Sequence, residues 1–254
     1  MTLRRAGPPV TLMAAILVAW ETYARTSGVS AVVLPAPTRI IEALWTARAE
    51  AIRHTLPTLG ETVVGLVVSI GFGIAAAVVM DRFDVVRRSV QPLLVVSQTI
   101  PVVAIAPLLV IWFGFDLAPK VLVVVLVTFF PVVVALLAGF GSASGDATDL
   151  MESFGASRSQ VFWNLRWPGA LPSLFTGLRI AVTYGVIGAV FGEYVGAYEG
   201  LGIWMQLSQN AFRVDLVFGA ILLTAILSLA LFGLVVAAER LLIPWYAASR
   251  GASG

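Results

Sequence analysis

Residue types that do chemistry are scarce in this chain and do not cluster. The 254 residues include 14 acidic residues, a single histidine (His54) and no cysteine. Disulfides, thiolate metal sites and cysteine nucleophiles are therefore excluded, and one histidine cannot form a histidine-based metal cluster. The chain also lacks a Gly-x4-Gly-Lys-Ser/Thr loop that would hold the phosphates of ATP. We expect no catalytic residue, no metal and no cofactor.

One acidic residue does stand within an apolar stretch. Glu193 interrupts the segment 180–197, and an ionisable group at membrane depth is costly enough to be a functional candidate. We predict that Glu193 lines a solute pathway, with a solvated position near the outer interface as the alternative. Gln98 and Thr99 are two further pathway candidates, because they are uncharged hydrogen-bonding groups beside Pro101. Bonding between helices is their alternative role.

The elements that must position these groups are membrane helices. Hydrophobic residues make up 59% of the chain and charged residues 12%, against about 45–50% and about 25% in soluble proteins. Four stretches of 19 to 27 residues carry no charge, and a helix of roughly 20 apolar residues crosses about 30 Å of hydrocarbon. Together with two weaker segments, they predict an all-α, polytopic membrane protein with about six transmembrane helices. These helices are expected near 8–27, 58–80, 92–113, 120–141, 176–197 and 216–241.

The basic residues predict the orientation of these helices. With both termini in the cytoplasm, ten of the 16 lysines and arginines fall on the inner side and six, Lys120 among them, on the outer side, as the positive-inside rule favours. At the start of the second span we expect Glu61 to be an interfacial charge and His54 a surface residue. The first segment is taken as an uncleaved helix, with a cleaved signal peptide as the alternative. The outer connection after it carries an amphipathic pattern from Thr38 onwards. That pattern predicts a helix on the outer membrane surface, or an ordinary polar linker helix.

Prolines and small residues add detail to the spans. Pro101, Pro107 and Pro131 interrupt the third and fourth spans. Kinks inside a bilayer persist where neighbouring groups or water satisfy the freed carbonyls, so these helices are expected to line a pathway, although plain bundles contain kinked helices too. Gly65 and Gly73, with a serine midway between them, give the second span a face on which another helix can pack closely.

The most informative segment is the inner connection 142–176, because loops of 35 residues with their own structure tend to be functional. Asp146 is placed to cap a short helix, and Gly155 can end that helix in the left-handed conformation. A Ser-Arg-Ser-Gln capping box at Ser157 starts a second helix, which we expect to stop before Pro168. The pattern predicts a helical hairpin outside the membrane that docks on another protein. A hairpin resting on the inner leaflet is the alternative.

The segment Asp149-Leu150-Met151, followed at fixed spacing by Gly155 and Pro168, resembles the EAA loop of binding-protein-dependent ABC importer permeases. That pattern is Glu-Ala-Ala, three residues, Gly, nine residues and Ile-x-Leu-Pro; here Asp-Leu-Met replaces Glu-Ala-Ala, and Leu and Trp replace Ile and Leu. In that family the loop is the coupling helix, which sits in a groove of the ATP-binding subunit. The resemblance implies an ATPase-coupling role for seven residues: Asp149, Leu150, Met151, Gly155, Ala156, Leu165 and Pro168.

The resemblance extends over residues 34–245. Further marks of the family are Ile100-Pro101, Trp112-Phe113-Gly114, Leu171-Pro172 and Gly200-Leu201-Gly202. Together they are similar to the branch that imports nitrate, taurine, alkanesulfonates, riboflavin and thiamine-pyrimidine precursors. The runs 186–193 and 208–212 look closer to the pyrimidine-precursor permeases than to the sulfonate permeases. The resemblance implies a type I ABC importer permease fold in a bacterial cytoplasmic (inner) membrane. It also implies three protein partners: ABC ATP-binding subunits, an extracytoplasmic substrate-binding protein, and a second permease copy in a homodimer or heterodimer.

The implied function is that of the transmembrane permease subunit of an ATP-driven importer. The chain itself is expected not to be an enzyme, because ATP would be hydrolysed in a separate nucleotide-binding subunit. The expected solute is a small polar molecule. A thiamine-pyrimidine precursor is the first expectation, and a sulfonate, taurine, nitrate and riboflavin are the alternatives. A net charge of +2, small and scattered, gives no reason to expect a nucleic-acid partner.

Three amide side chains follow the outer Gly200–Gly202 turn and are candidate contacts for the binding protein: Gln206, Gln209 and Asn210. The expected domains are a first transmembrane helix with an external linker (1–54), the permease domain (55–243) with its coupling loop (142–176), and a cytoplasmic tail (244–254). Two other functions stay open from the residues alone. An ion-coupled carrier or channel would also use kinked helices and Glu193, and a membrane anchor would conduct nothing.

Overall fold

The computed structural model describes residues 3–246 and contains only helices within them. They are α1 (Leu3–Thr26), α2 (Pro37–Thr46), α3 (Arg48–Arg82), α4 (Asp84–Ser97), α5 (Val102–Phe113), α6 (Leu117–Gly141), α7 (Gly145–Ser153), α8 (Arg158–Val161), a π-helical turn (Phe162–Arg166), α9 (Trp167–Gly196), α10 (Leu201–Asn210) and α11 (Val214–Leu242). The predicted all-α, polytopic fold is confirmed. Most of the expected tail, from residue 247 onwards, lies outside the described residues.

Within that described part, four helical stretches are long and apolar enough to cross a membrane, or five if one bent pair counts as a single span. The four are α3, α6, α11 and the continuous stretch Arg158–Gly196. Six spans were predicted, and α1 is not among these stretches. A crossing by α1 therefore stays a prediction, as does the cytoplasmic position of both termini.

The third span departs most from the prediction. A single kinked helix over 92–113 was expected, but α4 ends at Ser97 and α5 begins at Val102, and the two helices are bent by 98°. Pro101 explains the break, because it has no N–H to continue the helical ladder and it biases the preceding residue towards extended backbone. The prediction of one continuous kinked helix here was wrong. The structure instead has either a broken span or a re-entrant loop.

Helix α6 lies at the centre of the bundle, between α3 and α9. The predicted small-residue face of α3 packs against it. A Cβ added at Gly65 would come within 2.5 Å of Val124 Cβ, and one at Gly73 within 2.7 Å of Val132 Cγ1. Glycine at these positions therefore lets the two backbones approach closely.

A second group of buried residues closes the other end of the bundle. Here α10 packs against α11, and α11 packs in turn against α2, through Ala43, Leu201, Trp204, Leu216 and Ala220. The predicted amphipathic helix after Thr38 is present as α2, and the chain then passes through Ala47 into α3. Helices α2 and α10 thus form a small layer over the outer ends of the spans in the predicted orientation.

Candidate coupling hairpin and membrane pathway

The inner hairpin, residues 145–161, consists of α7 and α8 joined by a turn at Gly155. The first helix begins with a side-chain cap, since the Ser144 hydroxyl accepts a hydrogen bond from the Ala147 N–H at 3.1 Å. Asp146 was predicted to be this cap, which was wrong by two residues. Asp146 lies in the first turn instead, where a carboxylate interacts favourably with the positive end of the helix dipole.

The turn itself has the predicted conformation. Gly155 has φ of +82°, its N–H donates to the Glu152 carbonyl at 2.9 Å, and the Ala156 N–H donates to the Met151 carbonyl at 3.0 Å. A left-handed residue of this kind satisfies carbonyls that the helix end would otherwise leave free. The predicted capping box at Ser157 is also present, with both of its hydrogen bonds to Gln160 formed.

The second helix does not stop before Pro168, contrary to the prediction. It continues through the π-helical turn Phe162–Arg166 into α9 and reaches Gly196 without a break. In the π-helical turn the Trp167 N–H donates to the Phe162 carbonyl, and this wider turn directly precedes the proline. A helix can pass a proline where its missing N–H and its ring are accommodated in this way. The predicted loop 142–176 therefore includes the first ten residues of α9.

The inner hairpin has apolar side chains with nothing of this chain over them. Helix α7 has no buried residue; Leu150 is exposed, and 83% of Phe154 is exposed. Of the other predicted coupling residues, Asp149 is exposed while Met151, Ala156, Leu165 and Pro168 are half-buried. A hairpin with exposed large apolar residues needs a covering partner or a membrane surface.

A half-buried ion pair that the sequence did not predict connects this hairpin region to α3. The Arg166 guanidinium lies 2.7 Å from Asp81 Oδ1 and donates to the Phe140 carbonyl at 3.3 Å. Four aromatic rings, with centroids 5.2–6.2 Å apart, pack around this point: Phe140, Phe162, Trp163 and Trp167. The π-helical turn that follows the inner hairpin is therefore bonded to α3 and α6 and packs against the start of α9.

A cavity of about 690 Å³ separates the inner hairpin from the inner ends of α3 and α4. Its lining is charged and of mixed sign; it includes Arg82, Arg87, Glu152 and Arg158. The hairpin is consequently held at its α9 side and stands clear of the bundle on its α7 side.

Two of the three predicted pathway residues lie at the bend between α4 and α5. Gln98 and Thr99 are both exposed, and the Thr99 hydroxyl donates to the Val96 carbonyl of its own helix at 2.8 Å. A second cavity, of about 310 Å³, lies between α4 and α6; it is lined along α4 as far as Val95, before the bend, and Gln91 and Arg87 are its polar lining residues. Irregular backbone at membrane depth is tolerated where it lines a cavity or is covered by protein.

Glu193, the third predicted pathway residue, is fully buried (0% exposed) and bonded within the chain. The backbone N–H groups of residues 200–202 donate, in order, to His54 Nδ1 at 3.1 Å, Thr58 Oγ1 at 2.9 Å and Glu193 Oε2 at 2.7 Å. The Thr58 hydroxyl donates in turn to Glu193 Oε1 at 2.6 Å. We call this arrangement the α10 cap. The bond lengths and full burial place the carboxylate out of solvent contact in this conformation.

Three neighbouring residues differ from what the sequence suggested. His54 was expected at the surface but is buried and stacks on Trp204, with ring centroids 5.8 Å apart. Glu61 was expected as an interfacial charge, and Lys120 as an outer-side charge. They are both buried and form an ion pair with 2.9 Å between Lys120 Nζ and Glu61 Oε1. Charged residues near predicted span ends can be buried when a neighbouring helix supplies a side chain of opposite charge.

The candidate binding-protein contacts lie on α10, as their position after the glycine turn required. Gln209 and Asn210 are exposed and Gln206 is half-buried. Beside the α10 cap, the Arg53 guanidinium bonds to Glu199 at 2.6 Å and lowers the pKa of that carboxyl from its ordinary value. Glu199 is therefore ionised at neutral pH and forms an exposed ion pair with Arg53 at this end of the bundle.

These features define a class of protein, a polytopic helical membrane protein with a sharply bent helix pair and an exposed helical hairpin. The chain belongs to the binding-protein-dependent transport system inner membrane component family, whose model matches residues 69–245. It is thus a multi-pass permease of an ABC importer in the inner membrane, and the resemblance found in the sequence is confirmed.

Curated relatives cover nearly the whole chain. The formylaminopyrimidine transport permease protein ThiX of Halalkalibacterium halodurans is 39% identical over 242 residues, which are 95% of this chain and 96% of the relative. The riboflavin transport system permease protein RibX of Chloroflexus aurantiacus is 34% identical over 95% of this chain and 90% of the relative. The taurine transport system permease protein TauC of Escherichia coli is 33% identical over 96% and 91%.

Proposed function

We propose that this chain forms the translocation pathway of an ATP-driven importer for a small polar solute, and that a separate ATPase subunit drives it through the inner hairpin. The observation that carries this proposal is the hairpin itself. It exposes Leu150 and Phe154 beside a rigid glycine turn, and no part of the described chain covers them. A partner that buries this surface would gain the apolar contacts that anchor most protein interfaces.

In the proposed mechanism, two ATPase subunits close on ATP and pull on the inner hairpins of two permease chains. The Arg166–Asp81 ion pair and the aromatic residues around it pass that movement to α3, α6 and α9. The pair of permeases then turns from inward-open to outward-open. A second copy or a sister permease is required because a solute must pass between two bodies that move against each other.

We further propose that the bend between α4 and α5 lines the solute pathway. The bend places the Gln98 amide and the backbone around Thr99 at the surface, and these groups can bond to a polar solute without a fixed charge. Glu193 can reach the pathway only if the α10 cap opens. The proposed limits are 55–243 for the permease domain, with 1–54 before it and 244–254 after it as a cytoplasmic tail.

The proposed solute is a thiamine-pyrimidine precursor. The relative named for formylaminopyrimidine transport shares 39% identity across 96% of its own length, against 34% and 33% for the relatives named for riboflavin and taurine. A pyrimidine of this kind is small, planar and rich in hydrogen-bonding groups, which suits amide and backbone contacts. Affinity for it would reside mainly in an external binding protein, whose docking site we propose at Gln206, Gln209 and Asn210 on α10.

Purification of the tagged chain in mild detergent, followed by identification of its partners, tests this proposal. Recovery of an ATPase subunit with a phosphate-binding loop supports it. Proteoliposomes provide the second arm, in which the purified chain is assayed alone under a proton or sodium gradient. Uptake by the chain alone would contradict the proposal and indicate an ion-coupled carrier.

A further inference from the structure

Helix α10 is held to the membrane spans by its first turn. The first N–H groups of a helix have no partner within the helix and need acceptors from elsewhere. At α10 three successive N–H groups, those of residues 200–202, find acceptors on two different spans: His54 and Thr58 on α3, and Glu193 on α9. A carboxylate at this position also interacts favourably with the positive end of the helix dipole.

The glycines of the α10 cap lie so close to α9 that no side chain fits at residues 200 and 202. Gly200 has φ of +127°, a region that favours glycine, and a Cβ at residue 200 would overlap the Glu193 carboxylate. A Cβ at Gly202 would overlap the Val190 carbonyl. The α10 N-terminus is therefore seated directly on α9, and both oxygens of Glu193 are occupied by the Thr58 hydroxyl and the Gly202 N–H.

The same helix that carries Glu193 leads to the inner hairpin. The stretch Arg158–Gly196 is 39 residues of unbroken helix, which spans roughly 58 Å at about 1.5 Å per residue. Its inner end bears the capping box at Ser157 and the ion pair of Arg166. Its other end bears the α10 cap. One continuous helix thus joins the hairpin on one side of the membrane to α10 on the other.

We propose that Glu193, Thr58 and His54 are positioning residues that fix α10 to the continuous helix, through Glu193, and to α3, through Thr58 and His54, so that the outer docking face and the inner hairpin move as one unit. The docking part of this inference rests on the proposed function. In this role the carboxyl group of Glu193 serves to hold a helix end, and contact with the solute is not required. Opening of the α10 cap would uncouple binding-protein docking from the inner hairpin.

The chain has no native cysteine, so single-cysteine reporters can test the positioning role on the chain alone. Ser208 on α10 is 5% exposed and its neighbour Leu207 is 53% exposed. In nanodiscs, Ser208→Cys should react slowly with a water-soluble maleimide and Leu207→Cys quickly. Thr58→Val removes one hydroxyl that both accepts from α10 and donates to Glu193, so it should speed labelling of the Ser208→Cys reporter roughly tenfold or more.

Thr62→Val is the matched control, because Thr62 is also fully buried on α3 but its hydroxyl bonds only to the Thr58 carbonyl one turn earlier, at 2.7 Å. It should leave labelling of the Ser208→Cys reporter unchanged. Thr58→Ser should restore slow labelling, because it keeps the hydroxyl. Equal labelling in the Thr58→Val and Thr62→Val backgrounds would overturn the inference.

A second measurement tests the link to docking. In proteoliposomes with the ATPase subunit and the binding protein, Thr58→Val should raise the binding-protein concentration that gives half-maximal stimulation of ATP hydrolysis, while Thr62→Val should not. Unchanged stimulation in Thr58→Val would overturn the docking part. If maleimide labelling responds as expected but no ATPase associates with the wild-type chain, the positioning role stands and the proposed function fails.

Discussion

Gly155→Pro is the sharpest perturbation of the inner hairpin, because the turn conflicts with proline in three ways. Gly155 has φ of +82°, whereas proline fixes φ near −65°. Its N–H donates to the Glu152 carbonyl at 2.9 Å, and proline has no N–H. The preceding residue, Phe154, has φ of −83° and ψ of 6°, a conformation that a following proline disfavours.

The size of the effect follows from these conflicts. Forcing an L-residue into the left-handed conformation costs about 1–2 kcal/mol, which is a lower bound for proline because its ring closes that region, and loss of the Gly155 hydrogen bond costs about 1 kcal/mol. About 3 kcal/mol against the docking conformation weakens ATPase association roughly 100-fold, since each 1.4 kcal/mol is about tenfold. Gly155→Ala keeps the N–H and meets only the first conflict, so it should weaken association roughly 5- to 30-fold.

Gly145→Pro is the matched control for this experiment. Gly145 is the first residue of α7, where the N–H has no helical partner and proline is favoured. The preceding Ser144 already has extended backbone, with φ of −60° and ψ of 128°, and space is open around Gly145. The assays are ATPase association by co-purification and solute uptake in proteoliposomes. Normal uptake by Gly155→Pro, or equal loss in both variants, would refute the coupling role of the turn.

Three further predictions address the hairpin surface, the buried charges and the bend. Phe154→Ala should change the free energy of unfolding by no more than about 0.5 kcal/mol, because the ring is exposed; it should cost about 2 kcal/mol of ATPase affinity, measured by titration of the ATPase subunit. Lys120→Met should lower stability by about 3–5 kcal/mol in a detergent melt, because it leaves buried Glu61 unpaired, and adding Glu61→Gln should recover most of that loss. Gln98→Leu should reduce solute uptake at unchanged ATPase association.

Each of these predictions has a distinct contrary result. Loss of thermal stability in Phe154→Ala would show that the ring packs within the chain. Equal melting temperatures for Lys120→Met and the double variant would show that the unpaired carboxylate of Glu61 is not what costs stability. Normal uptake by Gln98→Leu would remove this amide from the pathway.

The inner hairpin was predictable because its signals are local. The Gly155 turn and the Ser157 capping box each depend on residues within four positions, and both are present as predicted. The exact cap residue was missed because Ser144 and Asp146 are both good acceptors. The continuation past Pro168 was missed because a π-helical turn has no sequence signal comparable to that of a proline.

The buried polar contacts were not predictable because their partners are distant in the sequence. The Glu193 carboxylate meets Thr58 across 135 residues, and the Arg166 guanidinium meets Asp81 across 85 residues. The sequence showed that Glu193 is an unusual residue in its span, but only the packing of α3 against α9 shows what it binds. The 98° bend between α4 and α5 was not predictable either, because a proline predicts a kink but not its angle.

ATP-dependent uptake in proteoliposomes most directly tests the central claim that the chain conducts solute only when an ATPase acts on its inner hairpin. Vesicles would contain the chain with its co-purified ATPase subunit, the external binding protein and a labelled formylaminopyrimidine, with ATP on the hairpin side. The account predicts uptake that requires ATP and is lost in Gly155→Pro but kept in Gly145→Pro. Uptake that persists without the ATPase, driven by a proton or sodium gradient, would contradict it.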